Sequence, residues 1–273
     1  MGTDLQLYIV PMQLTIKGRT YLDGRDLSPT EFYRMQKGMK EVPSTSSPSP
    51  ASFLDAFRAA AEVASSVLCL TVSPRFSSSF DSASNAAHSA QEALPDTRIV
   101  VVDTESAAGG QGLIAMEAWR AARGGAELDD VVSTVQAVVL AVSLLAFLDT
   151  LYYVWKSGRV PRVSYTATAL LRIKPILQLS RGEIRNVARP RTRPRAVERM
   201  LGLMRQQVGP GPIHATVMHA DAGEEAERLR LRVESEFPCQ ELFISEFSPV
   251  MGSHTGPGLL GIAFWSETPV PKD

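Results

Sequence analysis

Cysteine is nearly absent. Only Cys69 and Cys239 occur in 273 residues, far apart and each within an apolar stretch. That excludes a disulfide framework and a thiolate metal site, and it fits buried thiols in a reducing compartment. Histidine is equally sparse, and His88, His214, His219 and His254 show no metal-ligand spacing. Charge of one sign is lacking too. The formal net charge is -1, so no overall field draws the chain to nucleic acid or to an anionic membrane. Arginine far outnumbers lysine, a matter of composition before function. The longest apolar run, Ala137 to Leu148, contains Ser143 and falls short of the roughly 20 residues of a membrane span. No basic–apolar–small segment opens the chain. No G-x-x-x-x-G-K-[ST] loop is present for a nucleotide. The expectation is a soluble cytoplasmic protein without cofactor, metal or nucleic acid and without stable membrane insertion.

What is present is apolar content of 44%, enough to bury a substantial core. Leu5–Pro11 and Met12–Ile16 alternate as strands do, and Lys17-Gly18 turns the chain. Ser28-Pro29-Thr30-Glu31 carries a capping box and predicts a helix to about Met39. A second helix is predicted over 51–65. Val67–Val72 and Arg98–Thr104 are continuous apolar runs, as in parallel strands covered on both faces. Helices follow to about Glu92, from the Gly109–Gly112 segment to about Arg123, and from Asp129 to about Val142. This alternation argues for a parallel α/β sheet. Beyond Leu148 a helix to Lys156, a basic run over Arg185–Arg195, a helix through Met204, a strand over Ile213–Met218 and a helix over Ala222–Glu236 are expected. We place a domain boundary near 147, dividing an N-terminal α/β domain (1–147) from a C-terminal α/β domain (148–273).

Three loops carry candidate chemistry. Ser248 to Gly258 sets His254 and hydroxyls in a run of glycine and proline between a strand (Glu241–Phe247) and a second buried element (Leu259–Trp265). Such a turn lets backbone N–H groups approach an anion closely. His254 can donate to that anion or carry charge beside it. Ser44, Thr45, Ser46, Ser47 and Ser49 precede one helix, and Ser77, Ser78 and Ser79 precede another. Hydroxyl-rich helix N-termini suit a carboxylate or phosphate; the alternative is ordinary capping. Gly252-Ser253-His254-Thr255-Gly256 is not a nucleophile elbow, because the serine stands one place too early. Arg189, Arg191, Arg193 and Arg195 form a basic strip, either a solvated surface or an anion- or partner-facing patch.

Several strings then coincide with one pattern. Tyr21-Leu22-Asp23-Gly24, Thr45-Ser46-Ser47-Pro48-Ser49-Pro50, Ser73 through Ala83, Leu148-Asp149-Thr150-Leu151, Gly158-Arg159, Ile173-Lys174-Pro175-Ile176, Arg191-Thr192-Arg193 and Ser248 through Gly258 occur in the order and spacing of one family. The chain resembles the DegV family of bacterial fatty-acid-binding proteins. The resemblance implies two α/β domains holding one long-chain fatty acid in an apolar tunnel, with no chemistry of their own. It places the carboxylate at Thr45 and Ser77, beside Ser46, Ser78 and Thr255. His254 and either Arg191 or Arg193 would lie near the head group. The implied partner is the catalytic subunit of a fatty acid kinase, which converts the bound acid to an acyl phosphate. Burial of the acyl chain supplies about 0.8 kcal/mol per methylene.

Three departures stand out. The family's opening strand with D-S-T-x-D-L is missing, which reads as a misassigned start, a trimmed chain or a lost strand. Pro74-Arg75 replaces Ser-Gly and Ser78 replaces Gly, a stiffer and bulkier turn in which Arg75 offers a cation to the carboxylate. Ser47 replaces Gln. Two other readings stay open: a small serine hydrolase acting on acyl esters through a loop serine and His254, and a degenerate family member that binds nothing.

Overall fold

The computed structural model describes residues 5–39, 41–159 and 173–268. The chain opens without regular structure over 5–12, where Leu7 and Ile9 are exposed at 73% and 75%. The strand expected over Leu5–Pro11 is therefore absent: Val10 packs against the α2–α3 side, but the alternation finds no partner strand among the described residues. β1 (Gln13–Ile16) turns through Lys17 and Gly18, both at positive φ, into β2 (Arg19–Leu22). α1 (Pro29–Gln36) has the predicted capping box, with the Ser28 side chain accepting from Glu31 N and the Glu31 carboxylate accepting from Ser28 N. β3 (Ser44–Ser46) pairs antiparallel with β1, giving a small sheet ordered β2-β1-β3. The hydroxyl segment is thus a strand before it caps a helix. Only Ser49 serves as the N-cap of α2 (Pro50–Ala61).

β4 (Ser66–Thr71), α3 (Ser79–Ala93), β5 (Arg98–Asp103), α4 (Ala108–Arg123) and α5 (Leu128–Ala141) follow. Their apolar strands pair in parallel, as their composition requires. α2 and α3 cover one face, burying Phe53, Phe57, Ala83, Ala86 and Ala90 against the partly buried Val67, Cys69, Ile99 and Val101. The alternate residues Leu68, Leu70 and Val100 pack toward the opposite core with α4 and α5.

The larger sheet is mixed, with strand order β10-β9-β11-β6-β7-β8. It comprises β6 (Ser143–Phe147), β7 (Ile176–Ser180), β8 (Glu183–Ala188), β9 (Ile213–His219), β10 (Cys239–Glu246) and β11 (Leu260–Ser266). Its helices are α6 (Tyr152–Ser157), α7 (Arg193–Arg205), α8 (Gly223–Glu236) and the short α9 (Pro249–Thr255). The expected boundary near 147 lies at the end of β6, which is hydrogen-bonded to both β11 and β7. β7 and β8 were not anticipated. They form a hairpin around Arg181 and Gly182, both at positive φ, so the first four residues of the expected basic run, 185–188, are strand.

Period-two alternation divides the residues of this sheet between two cores. Leu145, Phe147, Ile176, Ala215, Val217, Ile262 and Phe264 pack with Met200, Met204, Leu229 and Val233 of α7 and α8. Leu144, Ala146, Leu148, Leu179, Met218 and Ala263 point the other way, toward α4, α5 and α9. No helix among the described residues is long and apolar enough to cross a membrane.

Candidate functional site

That second face does not close completely. Between it and the ends of β4 and β5 lies an open-mouthed cavity of about 930 Å³, solvent space at its mouth included. Its floor is the inward-pointing set Leu144, Ala146, Leu148, Leu177, Leu179 and Ile184 from β6–β8. Val72 and Ala107 close it from just beyond the C-terminal ends of β4 and β5, where open parallel sheets place their ligands. Phe247, Val250, Met251 and Leu259 form the wall from α9 and its flanks, with Met12, Phe76 and Val154 completing it. The polar lining consists of Ser77, Ser157, Arg159, His254 and Thr255. Arginine is the charged residue of this lining, and no described carboxylate joins it.

The glycine–proline segment proves to be a helix for most of its length. Ser248 caps it, accepting from Met251 N, Pro249 fills its first position, and Val250 N donates to Asp23 Oδ1 at 3.0 Å. The turn follows at Gly256-Pro257-Gly258. Gly256 has φ 75°, and a Cβ there would run into the ring of Tyr153. Gly258 has φ 83° and would place a Cβ 2.8 Å from Asp149 Oδ2. Both positions thus require glycine for close approach as well as for backbone angle. His254 is in this way aimed by a helix and locked by the turn behind it.

His254 Nε2 lies 3.0 Å from Thr45 Oγ1, joining two residues 209 positions apart. Its Nδ1 is buried without a partner among the described residues. Burial, and then the nearby Arg159 cation, push the imidazole down to about 4, so the ring is neutral at neutral pH. In this state it offers hydrogen bonding and no charge, and the positive charge of the cavity is that of Arg159. Thr255 Oγ1 donates to Met251 O. Ser77 Oγ is 2.8 Å from Ser79 Oγ and accepts from Ser79 N, at the start of α3.

The remaining candidates are placed differently. Thr45 is half-buried and reaches the cavity through His254, while Ser46 is exposed and its Oγ donates to Gln13 Oε1. Ser78 is exposed at the N-cap of α3 with no capping bond from its side chain. Arg191 is exposed and outside the lining. Arg193 is committed elsewhere. It donates to Asp149 Oδ1 at 2.6 Å, to Gly258 O at 2.8 Å and to Glu225, and its guanidinium stacks 5.0 Å from the Phe147 ring centroid. Lys174 Nζ also reaches Asp149 Oδ1 at 2.8 Å. Burial raises the Asp149 carboxyl, but Lys174 and Arg193 outweigh it and hold the group below the usual carboxylate range. This cluster clamps the turn after His254 to the end of β6. Arg75 is exposed, 3.9 Å from Glu183, and also outside the lining.

Arg159 was missed as a site residue, although Gly158-Arg159 stands in the sequence pattern. The available signal was its position: Gly158 ends α6 in the left-handed region with φ 67°, and the cation follows immediately.

The comparisons with known proteins agree with this architecture. A family model described as "Uncharacterised protein, DegV family" matches residues 1–267. A DegV domain-containing protein of Listeria innocua is 29% identical over 264 residues, covering 96% of this chain and 92% of that protein. One from Deinococcus radiodurans is 32% identical over 255 residues, covering 93% and 89%. Among solved structures, a fatty-acid-binding DegV family protein of Thermus thermophilus superposes with TM-score 0.86 at 29% identity, covering 94% of this chain and 91% of that one. The fatty-acid-binding DegV protein of Bacillus subtilis gives TM-score 0.80 at 25% identity, with coverage of 93% and 90%. The mixed α/β fold is that of these proteins, and the chain belongs to the DegV family.

Proposed function

We propose that this protein binds one long-chain fatty acid, with the acyl chain in the cavity over β6–β8 and the carboxylate at Ser77, Thr255, His254 and Arg159. The observation that carries this reading is the composition of the lining: an apolar chamber holding one arginine, a neutral histidine and hydroxyls, with no described carboxylate. Such a chamber suits a ligand with a long apolar body and a single negative charge. Each buried methylene contributes about 0.8 kcal/mol, so a chain of more than a dozen carbons is held by its tail. The head group then selects the ionised acid through charge-assisted hydrogen bonds. Thr45 acts through its bond to His254, and Arg193 through the clamp on Gly258. Both halves, 1–147 and 148–273, contribute to the cavity lining. The similar proteins of Thermus thermophilus and Bacillus subtilis bind fatty acids, and one from Eubacterium ventriosum, 25% identical with TM-score 0.81, binds stearic acid.

The family resemblance extends the proposal. A separate kinase phosphorylates the presented carboxylate to an acyl phosphate, and this chain supplies the substrate without reacting itself. The work belongs in the cytoplasm, a placement supported by two unpaired cysteines. A serine hydrolase finds no support at this site. Ser77 is bonded to Ser79, His254 Nε2 is engaged by Thr45, and no described carboxylate orients the ring.

Mass spectrometry of the purified protein, native and after denaturing organic extraction, tests the binding. One fatty acid per chain, released only on denaturation, is expected. An empty protein that also fails to take up added fatty acid would overturn the proposal.

A further inference from the structure

A second cluster lies at the end of the large sheet away from the lipid cavity. Its centre is His214, near the start of β9 and only 5% exposed. Glu241 comes from β10, Glu267 follows β11, and Glu117 and Arg120 project from α4. The His214 ring stacks on its cross-strand partner Trp265, with centroids 4.2 Å and planes 3° apart. Its Nε2 lies 3.2 Å from Glu267 Oε1. Its Nδ1 lies 3.0 Å from Glu241 Oε1 and 3.7 Å from Glu117 Oε1.

In the tautomer whose Nε2–H donates to Glu267, the Nδ1 lone pair faces Arg120 Nη1 at 3.4 Å, between the two carboxylates. A carboxylate on the far nitrogen of a metal-bound histidine is the usual second partner of such ligands, fixing tautomer and orientation. The donor atoms of Glu117, His214 and Glu241 all fall within 4.8 Å of one another. A tetrahedral ion bound at about 2.1 Å holds its ligands about 3.4 Å apart, within the range seen here. Charge points the same way. Three carboxylates face one guanidinium, Arg120, which is ion-paired with both Glu117 and Glu241. With His214 neutral, one divalent cation brings the cluster to neutrality. Arg120 is 41% exposed. Its Nη2 bonds the outer oxygen of Glu241, Oε2, and can keep that contact, whereas its Nη1, which bonds Glu117 Oε1 and lies 3.4 Å from His214 Nδ1, has to give way to the ion.

We propose that His214, Glu117 and Glu241 bind one divalent transition-metal ion of the zinc type, with Glu267 as positioning residue. One nitrogen and two oxygens suit zinc or cobalt better than calcium or magnesium, which take all-oxygen shells. The ion would tie α4 to the ends of β9 and β10.

The test is equilibrium dialysis of metal-stripped, tag-free protein against zinc chloride, with cobalt replacing zinc for visible spectroscopy. One zinc per chain and a tetrahedral cobalt spectrum are expected. Both should be lost in His214→Ala and in Glu117→Gln, the second variant guarding against a folding defect in the first. Glu267→Gln should weaken zinc binding by roughly 10–100-fold. The lipid extracted from each variant should be unchanged, keeping this test separate from that of the cavity. Wild-type protein that takes up no stoichiometric zinc would overturn the proposal, leaving Arg120 as the standing counter-ion. Zinc uptake unaltered in both His214→Ala and Glu117→Gln would overturn it as well.

Discussion

Removing His254 should flatten the dependence of stability on pH between 4 and 7. In the folded chain burial and the Arg159 cation push this imidazole down to about 4, against about 6.5 for a free imidazole. Because the folded value lies below the unfolded one, the unfolded chain takes up the proton first as the pH falls. The stability linked to a neutral His254 is therefore complete above the unfolded value and is lost as pH descends toward the folded one. A gap of about 2.5 units corresponds to about 3 kcal/mol at 1.36 kcal/mol per unit. That is a large share of the roughly 5–15 kcal/mol that holds a typical domain together. The assay is urea unfolding of lipid-free protein at several pH values, comparing wild type with His254→Gln. Protonation of other groups affects both proteins, so the difference between their curves isolates His254. At pH 8 the variant should lose only what the bond to Thr45 contributes; near pH 4 the gap should have shifted in its favour by about 3 kcal/mol. Parallel curves would refute the argument, because they would mean that the ring titrates alike in the folded and unfolded chains.

Replacing Thr45 and Ser77 together with Ala should weaken retention of the acid by roughly 10–100-fold, since a hydrogen bond to a charged group contributes about 1.5–3 kcal/mol; extraction after gel filtration measures the loss. Substituting Val72 with Phe fills cavity space lined by aliphatic groups; the extracted acids should shift to shorter chains, read by mass spectrometry. Arg193→Ala should cost about 2 kcal/mol in urea unfolding, because it leaves Asp149 to Lys174 alone, removes the ion pair of half-buried Glu225 and frees the Gly258 carbonyl. Loss of lipid without loss of stability in that variant would instead place Arg193 at the head group.

Local signals reported local structure well. The Ser28–Glu31 capping box, the two continuous apolar strands of the small parallel sheet and the helices after them lie within a few residues of where their patterns place them. The failures share a cause. Leu5–Pro11 alternates like a strand and is none, since alternation earns a strand only where a neighbouring edge awaits it. β6 is buried at all five positions, and its run Ser143–Phe147 merges in sequence with the apolar end of α5. β8 hides in a basic run because it is the last strand of the sheet, where its exposed side chains need not be apolar.

The candidate site divides in the same way. The chain's membership of its family, and the roles proposed for Thr45, Ser77 and His254, rest on residue strings that are readable without a structure. That Thr45 meets His254 across 209 residues follows only from the pairing of β3 with β1 and the docking of α9 beside them. Equally invisible was the division of arginines. Arg193 is spent on Asp149 and Glu225, whereas Arg159 lines the cavity. The sequence by itself determined which side chains could bind an anion and which segments had to be buried, because both follow from chemical type and local period. The tertiary structure decided which arginine is paired, whether the histidine is charged and where the cavity opens, because those depend on dielectric and distance between residues remote along the chain.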